Sequence, residues 1–575
     1  LFFFCLFLLI ILGTRLWYLQ VYKYDHFKQR SEENRLRIIP ISPNRGLIFD
    51  RNGKVLVDNR TSYSVLIYPV KITPELEKKV ELLSKKLEIE PKVVIQKLKY
   101  AGPNSPYPID IKHDIDQDTI SYLLENRLIL PALTIEHTIS RVHPEKSLAS
   151  HILGYTGEIT YDELKDLKDK DYKVGNNIGK TGIEKSFEDT LRGVEGGHFI
   201  EVDSIGRKMR TLKTELPTQG NNLHLTIDKD LQRRVEELLE GKKAAAVVMD
   251  VNTGEILAMA SKPDFDPNIF YSRISSKQWG EIQKLDNPFL NRAISSYTPG
   301  SIFKIVTTAA ALQMNLATEY RQFYSKGYFN IGKYRFGDWN PYGFGWVNLD
   351  KAMAYSIDTV YYELSLEMGI NEMKKYANMF GIGVKTGVDL PGETKGIMPD
   401  HAWKMKYWKM PWFPGDSVNS SIGQGFIHVS PLQAAVMTAA TANGGKVLKP
   451  RVLKSINSKA ATDKIQILRR LKVSKHNLDI VKKGMRSAVT YGTGSALKRL
   501  PVEVAAKTGS AEDPPNKKTH GWVVSYAPYT NPKYTVVVFW QNGGHGGDIA
   551  APIARDIYKY LYKDPIAKVE PTKKK

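Results

Sequence analysis

The sequence predicts an α+β protein whose main domain is a mostly antiparallel sheet flanked by helices. Two observations carry that class. Strand signals stand at both ends of residues 222–565: LHLTID and the pair Ala244–Asp250 and Glu255–Ala260 at the start, Val502–Ala506, Gly521–Tyr526 and Tyr534–Trp540 at the end. Helical patterns lie between and beside them, at Leu231–Leu239, at the Ala-rich run 301–314 and at Ala551–Tyr562, and strands closing on each other around helices make an α+β layer. A third observation places this domain last. The chain has 575 residues, so at roughly 150 per domain it holds two to four, and residues 34–70 already read as β structure.

From the amino end, LFFFCLFLLIILG carries no charge. At about 1.5 Å per residue it covers about 20 Å, short of a roughly 30 Å hydrocarbon core. With Leu in first place, residues 1–22 are expected to be a truncated transmembrane anchor, with Arg15, Trp17 and Tyr18 as its interfacial girdle. A cleaved signal peptide would need a small-residue site, and RLWYLQVYKYDHF offers none. No later run of 18 apolar residues follows, so a single pass is expected. Leu47–Phe49 and Val55–Val57 flank Asp50-Arg51-Asn52-Gly53, a hairpin turn, and Ser62–Tyr68 alternates like a strand. Thr73 and Pro74 open a helix whose Leu76, Val80, Leu83 and Leu87 share one face. Residues 100–175 read as short mixed segments, with a solvated surface helix at Asp162–Lys173. The divisions are then 1–22, 23–221 with a helical insert at about 71–155, 222–565, and a basic tail, 566–575, expected to be disordered.

Charge and cysteine usage bound the chemistry. Lys and Arg exceed Asp and Glu by 82 − 61 = 21, which points to anionic surroundings. The excess is dispersed, without a basic helix or RNA motif, so an anionic wall polymer or lipid headgroups fit and nucleic acid does not. Cys5 stands alone, which excludes internal disulfides and cysteine-cluster metals. Residues 321–350 are rich in aromatics and Gly but lack Cys and His, so no metal is expected there, and no cofactor anywhere.

In YTPGSIFKI, Ser301 and Lys304 stand three apart where a helix should start. They share a face, and a desolvated Lys can take the proton that makes a serine hydroxyl nucleophilic. This is the S-x-x-K of serine acyl-enzymes. Ser495-Ala-Leu-Lys498 matches it too. The chemistry also needs a second polar serine and a Lys-Thr-Gly on a sheet-edge strand. Ser-x-Asn occurs at Ser42, Ser417 and Ser455 and Ser-x-Asp at Ser356, while Lys-Thr-Gly occurs at Lys180, Lys385 and Lys507. Lys180 precedes both candidate nucleophiles, Lys385 lies in a turn-like GIGVKTGVDLPGE, and Lys507 ends the apolar strand VEVAAKTGS. Ser495 is only 12 residues from Lys507, too close for a helical domain between them. Ser301, Ser356 and Lys507 remain, 55 and 151 residues apart. His520 reads as a structural strand-end histidine or one lining the cleft, His545 as part of a flexible Gly-rich rim, and Tyr407, Trp408, Trp412 and Phe413 as loop packing or a substrate or partner surface.

At these residues the chain resembles the penicillin-binding protein and serine β-lactamase superfamily, and within it a class B (monofunctional) penicillin-binding protein of the type 2, cell-elongation kind. RGLIFDRNG, GKTGIEKSFEDTLRGVEG, SIGQGFIHVSPLQ and VAAKTGSAE carry the likeness along nearly the whole chain. It implies a transpeptidase domain on an elongated, mostly β pedestal or dimerisation domain, anchored in the bacterial inner membrane with its bulk periplasmic. It implies that Ser301 attacks the penultimate D-Ala carbonyl of a stem peptide, that Lys304 takes its proton, and that Ser356 with Lys507 relays a proton to the leaving amine. Backbone N–H groups of Ser301 and Ser510 would form the oxyanion hole, and Thr508, Gly509 and Ser510 with Lys507 would hold the terminal carboxylate. Two neighbouring lysines should depress each other's pKa, favouring a neutral base at Lys304. Asp358, where many relatives have Asn, resembles the type 2 branch; its role stays open between catalytic and structural. Ser417-Val-Asn419 is expected to be structural. Implied partners are peptidoglycan stem peptides, β-lactams, a SEDS-type (RodA-like) glycosyltransferase and an MreC-like scaffold. The alternatives are a D,D-carboxypeptidase and a β-lactam-binding sensor or scaffold without turnover.

Overall fold

The computed structural model describes residues 2–25, 28, 36–67, 72–102, 109–112, 114–126, 133–170, 172, 176–202, 208–271, 274, 276–460, 465–513 and 518–562. The basic tail, 566–575, lies outside them.

Five antiparallel strands form the central sheet, in the order Ile256–Lys262, Ala244–Asp250, Tyr534–Trp540, Lys518–Ala527, Ala505–Asp513. Alternate residues of AAAVVMD feed two cores. Ala245, Val247 and Met249 face the helices Lys304–Gln313 and Pro431–Ala442; Ala244, Ala246 and Val248 face Lys229–Leu238 and Gly546–Leu561. Covered on both faces, the inner strands read as continuous apolar runs, which is why the sequence shows them so clearly. Ala505–Asp513 is the edge strand. It was expected to end at Lys507, yet it runs on to Asp513, because Lys518–Ala527 pairs with it residue by residue, Ser510 opposite Gly521 and Asp513 opposite Lys518. Ladder hydrogen bonds extend the strand past its apolar part, so Lys507 lies inside it and not at its end.

The preceding region is built on a second sheet. Ile48–Phe49 and Val55–Ile67 form the expected hairpin, and the strand expected at Ser62–Tyr68 is, as far as Ile67, the continuation of the second arm; Tyr68 lies outside the described residues. Leu133–Val142 pairs with Asp58–Ile67 over ten residues, a long strand that the mixed reading of 100–175 missed. The same sheet takes in Leu223–Leu225 and then Leu453–Ile456, so residues from beyond the helix Pro431–Ala442 return to brace it. The insert is helical within Pro74–Leu87, Pro91–Ala101 and Gln117–Glu125. Thr73 caps the first, and Val80, Leu83 and Leu87 pack with Val94, Leu98, Ile120 and Leu123. The surface helix expected at Asp162–Lys173 is only Tyr161–Asp166 among the described residues: a Thr160–Glu163 capping box starts it, and its apolar contact is limited to Leu164, packed with Leu167 on the small cluster of Ile159, Tyr172 and Ile178; residues 171 and 173 lie outside the described residues.

At the amino end, Phe2–Trp17 continues through a π-helical turn, Tyr18–Tyr22. The 21 residues Phe2–Tyr22 bury nothing inside the protein. At about 1.5 Å each they are long and apolar enough, by length and composition, to cross a membrane.

Candidate active site

Ser301 sits on a 3₁₀ turn, Gly300–Phe303, that feeds the helix Lys304–Gln313. Its neighbours Gly300, Ile302 and Phe303 are buried, and Ser301 is half-exposed. Two contacts pin the turn. Gly300 N–H donates to the Gly423 carbonyl (2.9 Å), and Trp522 Nε1 donates to the Thr298 carbonyl (2.9 Å). On its other side the turn lies backbone to backbone with Gly509–Ala511: a Cβ on Gly300 would meet Ser510 O at 2.6 Å, and one on Gly509 would meet Pro299 O at 2.8 Å. The N–H-bearing backbones of Ser301 and Ser510 are therefore neighbours.

Ser356 joins two helices, Leu349–Tyr355 and Asp358–Met379, in the left-handed conformation (φ 60°). That conformation costs a non-glycine residue roughly 1–2 kcal/mol and is typical of functional turns. Here it turns the helix-ending carbonyl toward a cation. Lys304 Nζ, fully buried, donates to Ser356 O (2.7 Å), to Ser356 Oγ (3.2 Å) and to Asp358 Oδ1 (2.5 Å), and stands 5.0 Å from the Tyr361 ring centre. Lys507, also fully buried, reaches Ser356 Oγ (2.8 Å) and the Thr508 carbonyl (3.0 Å). Ser356 Oγ thus bridges two lysine nitrogens with one carboxylate beside them. Burial and then the Lys304 charge hold Lys507 well below the usual lysine range, while Asp358 pulls the other way.

The Thr508–Ser510 end is also braced. Thr508 Oγ1 lies 2.6 Å from Thr493 Oγ1, and Gly546 N–H, at the start of the helix Gly546–Leu561, donates to Ser510 Oγ (3.2 Å). Gly546 is pressed between Trp522 O and Gly509 O, where a Cβ would come within 2.2 and 2.3 Å. The positive end of a 16-residue helix therefore stands behind Ser510.

Residues 244–559 match the family described as "Penicillin binding protein transpeptidase domain", and residues 40–225 match "Penicillin-binding Protein dimerisation domain". The chain belongs to the penicillin-binding proteins. Its curated relatives include the peptidoglycan D,D-transpeptidase MrdA of Acinetobacter baumannii, 34% identical over 96% of this chain and 85% of that protein, and MrdA of Escherichia coli, 31% identical over 93% and 89%. Among solved structures, the penicillin-binding protein PBP2 of Helicobacter pylori in complex with MreC superposes with a TM-score of 0.82 at 30% identity, covering 93% of this chain and all of that one. A peptidoglycan synthase complex has a chain alike at a TM-score of 0.73 and 29% identity, over 99% and 98%.

In this penicillin-binding protein the fold brings together Lys304, Ser356, Asp358 and Lys507 directly, with Ser301 and Gly509–Ser510 backbone to backbone beside them. The decoys lie elsewhere. Lys180 pairs with Glu163 (2.5 Å), Lys385 is exposed in a loop, Ser417 Oγ accepts Trp412 Nε1 (2.8 Å), and Ser495 starts a short 3₁₀ turn. His520 stacks edge-on to Tyr297 and Phe539 and accepts Asn542 N–H. His545 is not part of a loose rim: it is the N-cap residue of the C-terminal helix. The expected mutual depression of the lysines falls on Lys507, whereas Lys304 is engaged in an ion pair with Asp358. Sequence reasoning missed Asp338. Its Oδ2 accepts Thr359 N–H (3.1 Å) and Thr359 Oγ1 (3.2 Å), one residue past Asp358. Burial and the Asp358 charge raise its carboxyl above the ordinary value. The available signal was that Asp338 is the sole acid between Gln322 and Asn348.

Proposed function

We propose that this chain cross-links peptidoglycan by acyl transfer through Ser301, with Lys304, Ser356, Asp358 and Lys507 as the proton-handling set. The observation that carries the reading is the single hydroxyl of Ser356 set between two buried lysine nitrogens at 3.2 and 2.8 Å, beside the Ser301 turn. At rest Lys304 is the cation, held by Asp358. A stem peptide brings its terminal carboxylate to Lys507, Thr508 and Ser510. That anion stabilises a cation at Lys507, so Lys507 takes the Ser356 hydroxyl proton while Ser356 takes one from Lys304. Lys304 is left neutral and accepts the proton of Ser301 Oγ as it bonds to the penultimate D-Ala carbonyl carbon. The oxyanion rests on the N–H groups of Ser301 and Ser510, a contribution of about 10²–10³ in rate per donor. On collapse, the C–N bond breaks and the leaving D-Ala amine takes a proton through Ser356. With Ser356 reprotonated by Lys304, an acceptor amine attacks the Ser301 ester carbonyl and passes a proton to the now neutral Lys304, which returns it to Ser301 Oγ as the ester C–O bond breaks. β-Lactams enter the first half of this cycle and stop at the acyl-enzyme.

Residues 1–22 act as the single-pass anchor in the bacterial inner membrane, 23–221 as the pedestal and 222–565 as the transpeptidase domain, with the bulk periplasmic. The likeness to a PBP2 seen with MreC and to a chain of a peptidoglycan synthase complex supports an MreC-like scaffold and a SEDS-type glycosyltransferase as partners on the pedestal. The test uses full-length protein in detergent with uncross-linked strands bearing pentapeptides. D-Alanine release together with cross-linked dimers supports transpeptidation. Release without dimers supports the carboxypeptidase alternative, and neither product refutes the reading.

A further inference from the structure

The segment between Gln322 and Asn348 is unlike the rest of the chain. Ten of its 27 residues are aromatic, against 10% overall. It forms a pair, Phe323–Ser325 with Gly345–Val347, and a hairpin, Tyr328–Ile331 with Tyr334–Gly337. Its rings are sorted by chemistry. Phe323 is buried, and Phe329, Phe336 and Phe344 pack against the main core. The exposed ones are Tyr324, Tyr334, Trp339, Tyr342 and Trp346, with Tyr342 94% and Trp346 66% exposed. Every outward ring thus has an apolar face and a hydrogen-bonding edge. Lys326, Lys333 and Arg335 stand over Tyr328 and Tyr334 on the same segment, giving it three cations against one buried acid, Asp338.

This surface is fastened to the catalytic serine motif. Asp338 holds Thr359, and the next residue, Trp339, donates its indole N–H to the carbonyl of Tyr355 (3.0 Å), just before Ser356. From Trp339 a chain of ring contacts runs through Phe344 (5.4 Å), Tyr355 (5.9 Å) and Tyr491 (5.6 Å). Tyr491 lies two residues from Thr493, the partner of Thr508. The aromatic surface therefore continues into the wall of the cleft. A cavity of about 270 Å³ opens on it, lined by Tyr324, Lys326, Tyr328, Asn330 and Glu363 among others.

We propose that this segment binds the glycan backbone of the uncross-linked strand whose stem peptide occupies the cleft. Sugar rings present C–H faces that stack on Tyr and Trp while their hydroxyls reach the ring edges and the cavity's polar groups. The strand's carboxylates meet Lys326, Lys333 and Arg335. The inference rests on the cross-linking reading above.

The test measures binding of fluorescently labelled uncross-linked strands to full-length protein in detergent, alongside the penicillin acylation rate. Penicillin lacks the glycan and reads the cleft alone. The double variant Tyr342→Ala/Trp346→Ala should bind strands about tenfold more weakly, through the loss of two stacking faces. It should lose the same factor with strands stripped of their stem peptides, at an unchanged acylation rate. Strand binding within about twofold of the parent, loss only for peptide-bearing strands, or a parallel fall in acylation would each overturn the proposal. Acylation that survives Ser301→Ala would instead refute the cross-linking reading and leave a glycan-binding surface standing.

Discussion

Replacing Gly300 by Ala should displace Ser301, the proposed nucleophile, without removing any polar group. Gly300 has φ +57°, and its added methyl would lie 2.6 Å from Ser510 O, 2.9 Å from Ser510 C and 3.2 Å from Ala511 Cβ. Ordinary contact begins at 3.4 Å, so the turn must retreat by 3.4 − 2.6 = 0.8 Å. It has nowhere to go, because Gly300 O already lies where a Cβ on Gly423 would approach to 2.2 Å. The left-handed backbone adds roughly 1–2 kcal/mol for a side chain. A misplacement near 1 Å costs about 10²-fold in rate, or about 2.7 kcal/mol at the barrier. The assay is the second-order rate of acylation by a fluorescent penicillin, with Gly241→Ala as control. Gly241 has φ +72° with no atom within 4 Å, so it carries the backbone cost without the collision. Acylation is expected to fall about a hundredfold in Gly300→Ala and to hold in Gly241→Ala. A Gly300→Ala protein that acylates within about threefold of the parent would refute the backbone-to-backbone placement of Ser301 against Ser510.

Other outcomes follow from the buried charges. Lys507 titrates well below the usual lysine range, so acylation should fall as pH drops through its folded pKa, where it can no longer take the relayed proton. The unfolded chain binds that proton up to about pH 10.5, so stability should rise with pH between the folded pKa and 10.5. Lys507→Met should flatten that slope and leave a slow acylation without its acid limb; an unchanged profile would contradict the relay. Asp338→Ala leaves Thr359 N–H without its acceptor, a loss of roughly 1–3 kcal/mol, and should slow acylation. Asp338→Asn keeps an acceptor for Thr359 and sheds a charge that burial and Asp358 disfavour, so it should restore both stability and rate. Equal melting and acylation in Asp338→Ala and the parent would show that this carboxylate positions nothing.

The parts legible in the sequence were those where local pattern and tertiary demand coincide. The strands Ala244–Asp250 and Tyr534–Trp540 were read with their bounds because both faces are buried along most of their length and all but Asp250 and Thr535 are apolar or aromatic. The helix Pro74–Leu87 announced itself by its Thr73 cap and apolar stripe. Ser301, Ser356 and Lys507 were separable from their decoys because only Lys507 follows an apolar edge strand. What failed was polar structure held by distant partners. Strand Ala505–Asp513 extends through KTGSAED by pairing, and Leu133–Val142 exists because Val55–Ile67 runs beside it. Asp338, Thr493 and Gly546 act through neighbours far away in sequence, and spacing alone cannot pair them. Proximity of two cations does not say which is depressed: Lys507 is the one held below the usual lysine range, and Lys304 stands in an ion pair with Asp358 that spacing could not show.

The most direct test of the central claim is intact-mass spectrometry of the full-length protein after incubation with a penicillin, with Ser301→Ala and Ser495→Ala measured beside it. One stable adduct per chain is expected in the parent and in Ser495→Ala, on the peptide that contains Ser301, and none in Ser301→Ala. An adduct on folded Ser301→Ala would contradict the assignment of the nucleophile and, with it, the proton relay built around it.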